Sequence, residues 1–370
     1  MNIHPFKLER YYAQYEFSVK YMLSSSDCES LSLAELLQMA SPASLQLWQD
    51  LKLGYTEVAG HHLLRNEVAG LYQNIPSENV MVAAPEECIF IAMHTLLKPD
   101  DHVIYVPPAY QSLYEIARSI GCDLTPWPLH LSSGKWQLDL SELEKNITPA
   151  TRLLVINFPN NPTGYLPSRN EFDAILKIAE KHNLMIFSDE MYRLLENDPA
   201  ARLPAVSDVY PGGISLAGLS KACALPGLRM GWLTSQDHSL IDKWLAFKDY
   251  TTICNSAPSE ILAIIAIQNI EAILQRSMAI IKQNSETAGR FFAAHRPLFE
   301  WYPPIAGSVA FPLWLGSGRV EDFCQQLISS QGVMLVPGSL FEVPGNHFRL
   351  GLGRQNFSEA LDRVEKFIEK

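Results

Sequence analysis

The segment LAGLSKACALPGLRMGW, Leu216 to Trp232, constrains this chain more than any other stretch. The run before its lysine, GGISLAGLS (Gly213 to Ser220), is short, apolar and free of charge, which reads as a buried strand ending where Lys221 begins. Pro226, Gly227 and Arg229 follow, where a surface lysine would usually have more charge around it. A lysine at the end of a buried strand loses hydration, so its neutral amine becomes accessible as a nucleophile or base. Covalent catalysis on carbonyl compounds needs such an amine. The alternative is a lysine that snorkels from a core edge with its charge in water, and Lys221 alone does not decide between the two.

The rest of the chain alternates strands and helices. NVMVAAPEECIFIAMHTLLKPDDHVIYV reads as a strand (80–83), a helix opened by Pro85 with Glu86 and Glu87 in its first turn, and a second strand (102–106). A helix opening directly after a strand points unpaired amides outward and suits a phosphate. RLLVINFPNNPTG gives a buried strand to Asn157 and a turn, Ser168 and Glu171 form a capping box for a helix to about His182, and LMIFSDEMY is a buried strand ending at Asp189. A buried carboxylate there requires a cation. This alternation predicts an α/β layer with a mainly parallel sheet. Before it, residues to about Ala40 read as an aromatic, polar segment, a loop broken by Ser24 to Ser26, and a short helix over 32–38. After it come a helix over 237–250, a loop, and one long apolar helix from Pro258 to about Asn284 that bridges to a C-terminal α+β portion.

Bulk properties narrow the function classes. A formal net charge of −11 disfavours nucleic acid and anionic membrane as partners. The six cysteines are scattered without CxxC pairs, which indicates neither a metal site nor a disulfide framework and fits a cytoplasmic protein. The longest apolar run, Ile261 to Ile267, is far short of the ~20 residues that span a membrane. No G-x-G-x-x-G follows a strand, so a dinucleotide-binding dehydrogenase is disfavoured.

The SK…PGLRMG pattern around Lys221, with NNPTG (160–164), the Asp189…Tyr192 pair and the strand HFRLGLGR bearing Arg349, resembles the fold-type-I class I/II aminotransferases, which use pyridoxal phosphate (PLP). The resemblance implies a large PLP-binding domain with a seven-stranded-type sheet (46–284, including the bridging helix) and a smaller α+β domain made of residues 1–45 and 285–370. It implies that Lys221 carries the cofactor, that Asp189 pairs with its ring nitrogen, and that Tyr192 and Asn161 bond its phenolic oxygen. Tyr110 stacks on the ring, while Arg229, Ser220 and the Glu86 amide hold the phosphate. Tyr55 reaches the phosphate of a partner subunit in a homodimer. Arg349, with Asn161 and Ser26, binds the substrate, and Arg354 is a nearby competitor for the arginine role. The implied activity is transamination between an L-amino acid and a 2-oxo acid. Lyase, cyclase or oxidase chemistry on the same scaffold, or a non-catalytic PLP-binding regulator, are the alternatives.

Two stretches depart from the pattern. Ser25, Ser26, Asp27 and Glu29 stand in the loop where relatives carry glycine and proline, so Asp27 or Glu29 becomes a candidate to face a basic, arginine-like side chain. At the phosphate turn Ala84-Pro85-Glu86 lacks the usual hydroxyl and one amide hydrogen, and Gly218 stands where a serine is common.

Overall fold

The computed structural model describes residues 3–369. Its core is a seven-stranded sheet of β1 (Val80–Ala83), β2 (His102–Tyr105), β3 (Asp123–Pro126), β4 (Thr151–Asn157), β5 (Met185–Asp189), β6 (Gly213–Gly218) and β7 (Gly231–Ser235), in the order β1-β7-β6-β5-β4-β2-β3. Strands β3, β2, β4, β5 and β6 run parallel, and β7 is antiparallel to both β6 and β1. Parallel strands are covered on both faces, which is why β4 and β6 read as apolar runs without alternation. The helices Pro85–Leu96, Ser112–Ile120 and Arg169–Lys181 connect strands of this sheet, the last with both hydrogen bonds of the Ser168–Glu171 capping box in place. Register pairs Asn157 with Asp189 and Asp189 with Leu216, so three strand ends lie level at the carboxyl edge, where open α/β sheets form their crevices.

The C-terminal portion holds a small antiparallel sheet of β8 (Val309–Ala310), β9 (Val336–Pro337) and β10 (Phe348–Gly351), with the helices Val320–Gln331 and Phe357–Ile368. The N-terminal segment belongs to this unit. Tyr21 bridges to Val333, and Leu8 packs in a cluster with Phe311, Met334 and Phe341. The expected α/β fold with a seven-stranded, mainly parallel sheet is present.

Three local expectations differ. Lys7–Tyr15 is a helix rather than an irregular aromatic segment, with Leu8 on its buried side. The bridging helix is broken at Asn269 into Ala257–Gln268 and Ile270–Ala294, bent by 79°, and the second part runs well past residue 284. No proline or glycine marks that break; the first part buries eight consecutive residues from Glu260 to Ile267, and packing rather than propensity sets where the chain turns. The polar residues Ser132 to Gln137, for which the sequence suggests no strand, belong to an exposed hairpin, His130–Ser132 with Lys135–Gln137. Among the described residues no single helix is long and apolar enough to cross a membrane.

Candidate active site

The crevice at the strand ends is a cavity of about 520 Å³, within the range of small-ligand sites, about 300–1,000 Å³. Of the eleven residues that the resemblance gives a cofactor or substrate role, ten line it: Ser26, Glu86, Tyr110, Asn161, Asp189, Tyr192, Ser220, Lys221, Arg229 and Arg349. The eleventh, Tyr55, is 93% exposed and lies outside the cavity of its own chain.

Lys221 follows the end of β6, half-buried, and its Nζ donates to Ser26 Oγ at 2.8 Å. Burial pushes its ammonium below the ordinary lysine range; Arg349 adds to this, while Asp27, Asp189 and Glu9 oppose it. Asp189 ends β5 on the cavity floor. Burial raises its carboxyl to about 7, against the Met191 amide, which donates to Oδ1 at 3.0 Å, and against Lys221. Asn157, level with it, donates to the Asp189 carbonyl at 2.9 Å and accepts from the Asn161 amide at 2.8 Å, so the turn after β4 is tied to the end of β5.

Arg349, fully buried on β10, reaches the cavity from the C-terminal portion of the chain. Its Nη1 donates to Asn161 Oδ1 at 3.2 Å, its Nε to the Ser24 carbonyl at 3.2 Å and its Nη2 to Tyr12 Oη at 2.6 Å. Tyr12 Oη in turn donates to the Ser24 carbonyl at 2.9 Å. The Ser24–Ser26 loop presses on β10 so closely that a Cβ on Gly351 would lie 2.0 Å from the Ser25 carbonyl oxygen; the glycine is what admits the loop.

At the other end the helix Pro85–Leu96 opens toward the cavity, its N-cap Ala84 supplying no side-chain bond, so the amides of Glu86 and Glu87 have no intrahelical acceptor. The Glu86 side chain also enters the cavity, and burial raises its carboxyl to about 7, with Ser112 opposing and Glu9 and Asp189 reinforcing the rise. Arg229 sits at φ 55°, ψ 37°, a left-handed conformation that costs a non-glycine residue of order 1 kcal/mol and is typical of functional positions. Gly218 has no room for a hydroxyl-bearing side chain, since a Cβ there would lie 2.9 Å from the Met230 carbonyl oxygen and 3.0 Å from Gly231 Cα. Close pairing of β6 with β7, not a lost function, accounts for this glycine.

The loop carboxylates divide. Asp27 lines the cavity but is ion-paired to Arg354 at 3.0 Å, whereas Glu29 is turned away and accepts from the Gln355 amide at 3.0 Å. Glu29 therefore does not face the cavity, and Arg354 serves Asp27 rather than competing with Arg349. The sequence reading missed the contribution of the N-terminal helix: Glu9, Tyr12 and Glu16 line the cavity, and Glu9 accepts from Tyr110 Oη at 2.9 Å. Their spacing of three and four residues puts them on one helical face, a signal present in KLERYYAQYE.

Two buried hydroxyls lining the cavity, Tyr192 Oη and Ser220 Oγ, have no hydrogen-bond partner among the described residues. With an amine, an unpaired buried carboxyl and a helix N-terminus along one crevice, the donor set fits a phosphorylated, ring-nitrogen aldehyde such as PLP.

Comparison with known proteins agrees. The family described as "Aminotransferase class I and II" matches residues 20–364. Capreomycidine synthase of Streptomyces vinaceus is 30% identical over 90% of this chain and 86% of its own length. Aspartate aminotransferase of Thermotoga maritima is 26% identical over 85% of this chain and 83% of its own. Among solved structures, a PLP-dependent aminotransferase from Streptococcus suis superposes with a TM-score of 0.93 at 30% identity, covering 100% of this chain and 98% of that one. The PLP-dependent cyclase OrfR superposes at 0.91 with 26% identity over the same shares of the two chains.

Proposed function

Since the chain belongs to the class I and II aminotransferase family and is a PLP-dependent transferase, we propose that it moves an amino group between an L-amino acid and a 2-oxo acid, with Lys221 as the cofactor-bearing residue and proton carrier. The observation that carries this reading is the position of Lys221: its amine is depressed by burial and lies in one cavity with Asp189 on the floor and Arg349 at the wall.

PLP bound in this cavity supplies an electron sink for negative charge developing at the substrate Cα. The protein's part follows from its own groups. Asp189, costly as a buried anion, holds a proton on the ring nitrogen by remaining ionised beside it. Tyr192 and Asn161 orient the phenolic oxygen, and Tyr110, fixed by its bond to Glu9, covers the ring. Arg229, Ser220 and the amides of Glu86 and Glu87 hold the phosphate. Arg349 keeps Nη hydrogens beyond those given to Asn161 and Tyr12, and binds the substrate carboxylate in charge-assisted fashion. Ser26 holds the Lys221 amine at 2.8 Å and directs it as it takes the Cα proton and returns it. Tyr55, exposed at 93%, is assigned to the partner's phosphate in a homodimer, and the scattered cysteines support a cytoplasmic setting.

A second reading, cyclisation of an amino acid, is supported by the likeness to capreomycidine synthase and OrfR. Both readings need Lys221. Purified protein loaded with PLP should show a visible, borohydride-reducible chromophore that Lys221→Ala lacks, and single turnover with the right amino acid should release its 2-oxo acid. Full-occupancy chromophore in Lys221→Ala would falsify the assignment; chromophore changes with a cyclic amino acid product and no oxo acid would select the second reading.

A further inference from the structure

Acidic side chains in the cavity outnumber the cations available to them. Glu9, Glu16, Asp27, Glu86 and Asp189 line it, against Lys221, Arg229 and Arg349. In the roles given above, Asp189 serves the ring nitrogen, Arg229 the phosphate and Arg349 the α-carboxylate, while Lys221 is neutral when it acts. Asp27 is taken by Arg354, and Glu86 lies at the phosphate end. Glu9 and Glu16 remain, and neither has an ion-pair partner among the described residues.

These two carboxylates share a helical face. They stand seven residues apart on the Lys7–Tyr15 helix and its C-cap, about 10 Å along the axis, with Tyr12 between them. Tyr12 accepts from Arg349 at 2.6 Å, so the acidic face is pinned to the residue assigned to the substrate carboxylate. Glu9 is itself fixed by Tyr110 at 2.9 Å, and its second oxygen has no hydrogen-bond partner among the described residues. The cavity is a ligand site on independent grounds, the buried, unpartnered hydroxyls of Ser220 and Tyr192.

We propose that the site selects an amino acid whose side chain ends in a cation, an amine or a guanidinium, with Glu9 and Glu16 as the specificity-determining residues. The inference rests on the assignment of Lys221 and Arg349 above. A neutral side chain in the same place leaves the half-buried Glu9 and the exposed Glu16 without a cation, so discrimination comes from rejection, chiefly at Glu9, as well as from attraction. Partial burial with Glu9 and Asp27 nearby already raises the Glu16 carboxyl above its ordinary range, and an incoming cation relieves that crowding.

The test is a binding titration of PLP-loaded protein, read from the change in the cofactor spectrum, with L-arginine and L-lysine against the neutral analogues L-citrulline and L-norleucine. At least one cationic member should bind about tenfold or more tightly than its neutral analogue; preference for the arginine pair identifies a guanidinium, for the lysine pair an amine. Glu9→Gln keeps the acceptor for Tyr110, Glu16→Gln changes an exposed residue at the helix end, and each should erase most of the preference. Glu29→Gln, outside the cavity, should leave it unchanged. Equal affinities within both pairs, or a preference that survives both substitutions, overturns the proposal. Wild-type protein that acquires no chromophore overturns the earlier assignment and this one with it, a result distinct from a loaded protein that fails to discriminate.

Discussion

Replacing Glu86 with glutamine tests the phosphate end of the cavity quantitatively. The carboxyl sits in the first turn of its helix, facing Glu9, Asp189, Ser112 and Arg229, and burial raises it from 4.5 to about 7. An acid whose value is raised by folding imposes no penalty while protonated in both states, below about pH 4.5; the penalty grows between about pH 4.5 and 7 and is fully present, and constant, above 7. At 1.36 kcal/mol per unit the interval amounts to roughly 3 kcal/mol, so Glu86→Gln should stabilise the apoprotein by up to about that amount at pH 8 and hardly at all at pH 4. A phosphate dianion docked beside this carboxyl requires it to be protonated. The apoprotein's affinity for PLP should therefore fall above neutrality by about 1 + 10^(pH − 7), or about tenfold at pH 8 and about a hundredfold at pH 9, beyond any slope the cofactor itself contributes. Fluorescence titration of wild type and Glu86→Gln with PLP, and with pyridoxal lacking the phosphate, isolates the effect, because only the wild type with the phosphorylated ligand should show the extra slope. Identical pH profiles for the two proteins would refute the reasoning and place the Glu86 carboxyl away from the phosphate.

Further predictions follow from single contacts. Tyr12→Phe removes an acceptor from the Arg349 guanidinium and a donor from the Ser24 carbonyl; it should cost about 1.5 to 3 kcal/mol in urea unfolding and weaken amino acid binding, and unchanged stability together with unchanged binding would show that Arg349 is held without it. Gly351→Ala places a methyl 2.0 Å from the Ser25 carbonyl oxygen, so it should destabilise by about 1 to 3 kcal/mol and slow cofactor loading by displacing Ser26 from Lys221; wild-type unfolding and loading would mean that the loop yields freely. Gly218→Ser, which a missing hydroxyl invites, should lower stability by a similar amount instead of tightening the phosphate, and tighter PLP binding by that variant would contradict the packing of β6 on β7.

The parts legible in the sequence were those governed by local rules. Strand ends at Asn157 and Asp189 follow from apolar runs that stop at turn or polar residues, and the helix openings at Pro85 and Ser168 follow from capping chemistry; the strand before Lys221 ends at Gly218, two residues short of the apolar run. The illegible parts depend on what lies opposite. The Lys7–Tyr15 helix draws much of its apolar surface from tyrosines, whose hydroxyls reach Leu335, Ser24 and Gln325, so its pattern reads as polar until the partner surface is known. The break at Asn269 has no sequence punctuation because Ile267 and Ile270 continue the apolar pattern through it. Glu29 stood out from its loop and Glu9 did not, yet a backbone amide at Gln355 claims the first and the cavity receives the second.

The wall of the cavity facing the sheet edge is assembled from opposite ends of the polypeptide. Arg349 meets Tyr12 across 337 positions, Arg354 meets Asp27 across 327, and Lys7 meets Glu342 across 335. During synthesis the sheet and Lys221 are complete while roughly the last third of the chain is still inside or ahead of the ribosome, and at about 5–20 residues per second that interval lasts many seconds. Through it, the nascent protein carries Lys221 beside a crevice that Arg349 has not yet reached. The arginine thus enters the crevice in one late event, when β10 docks beneath a helix made long before it.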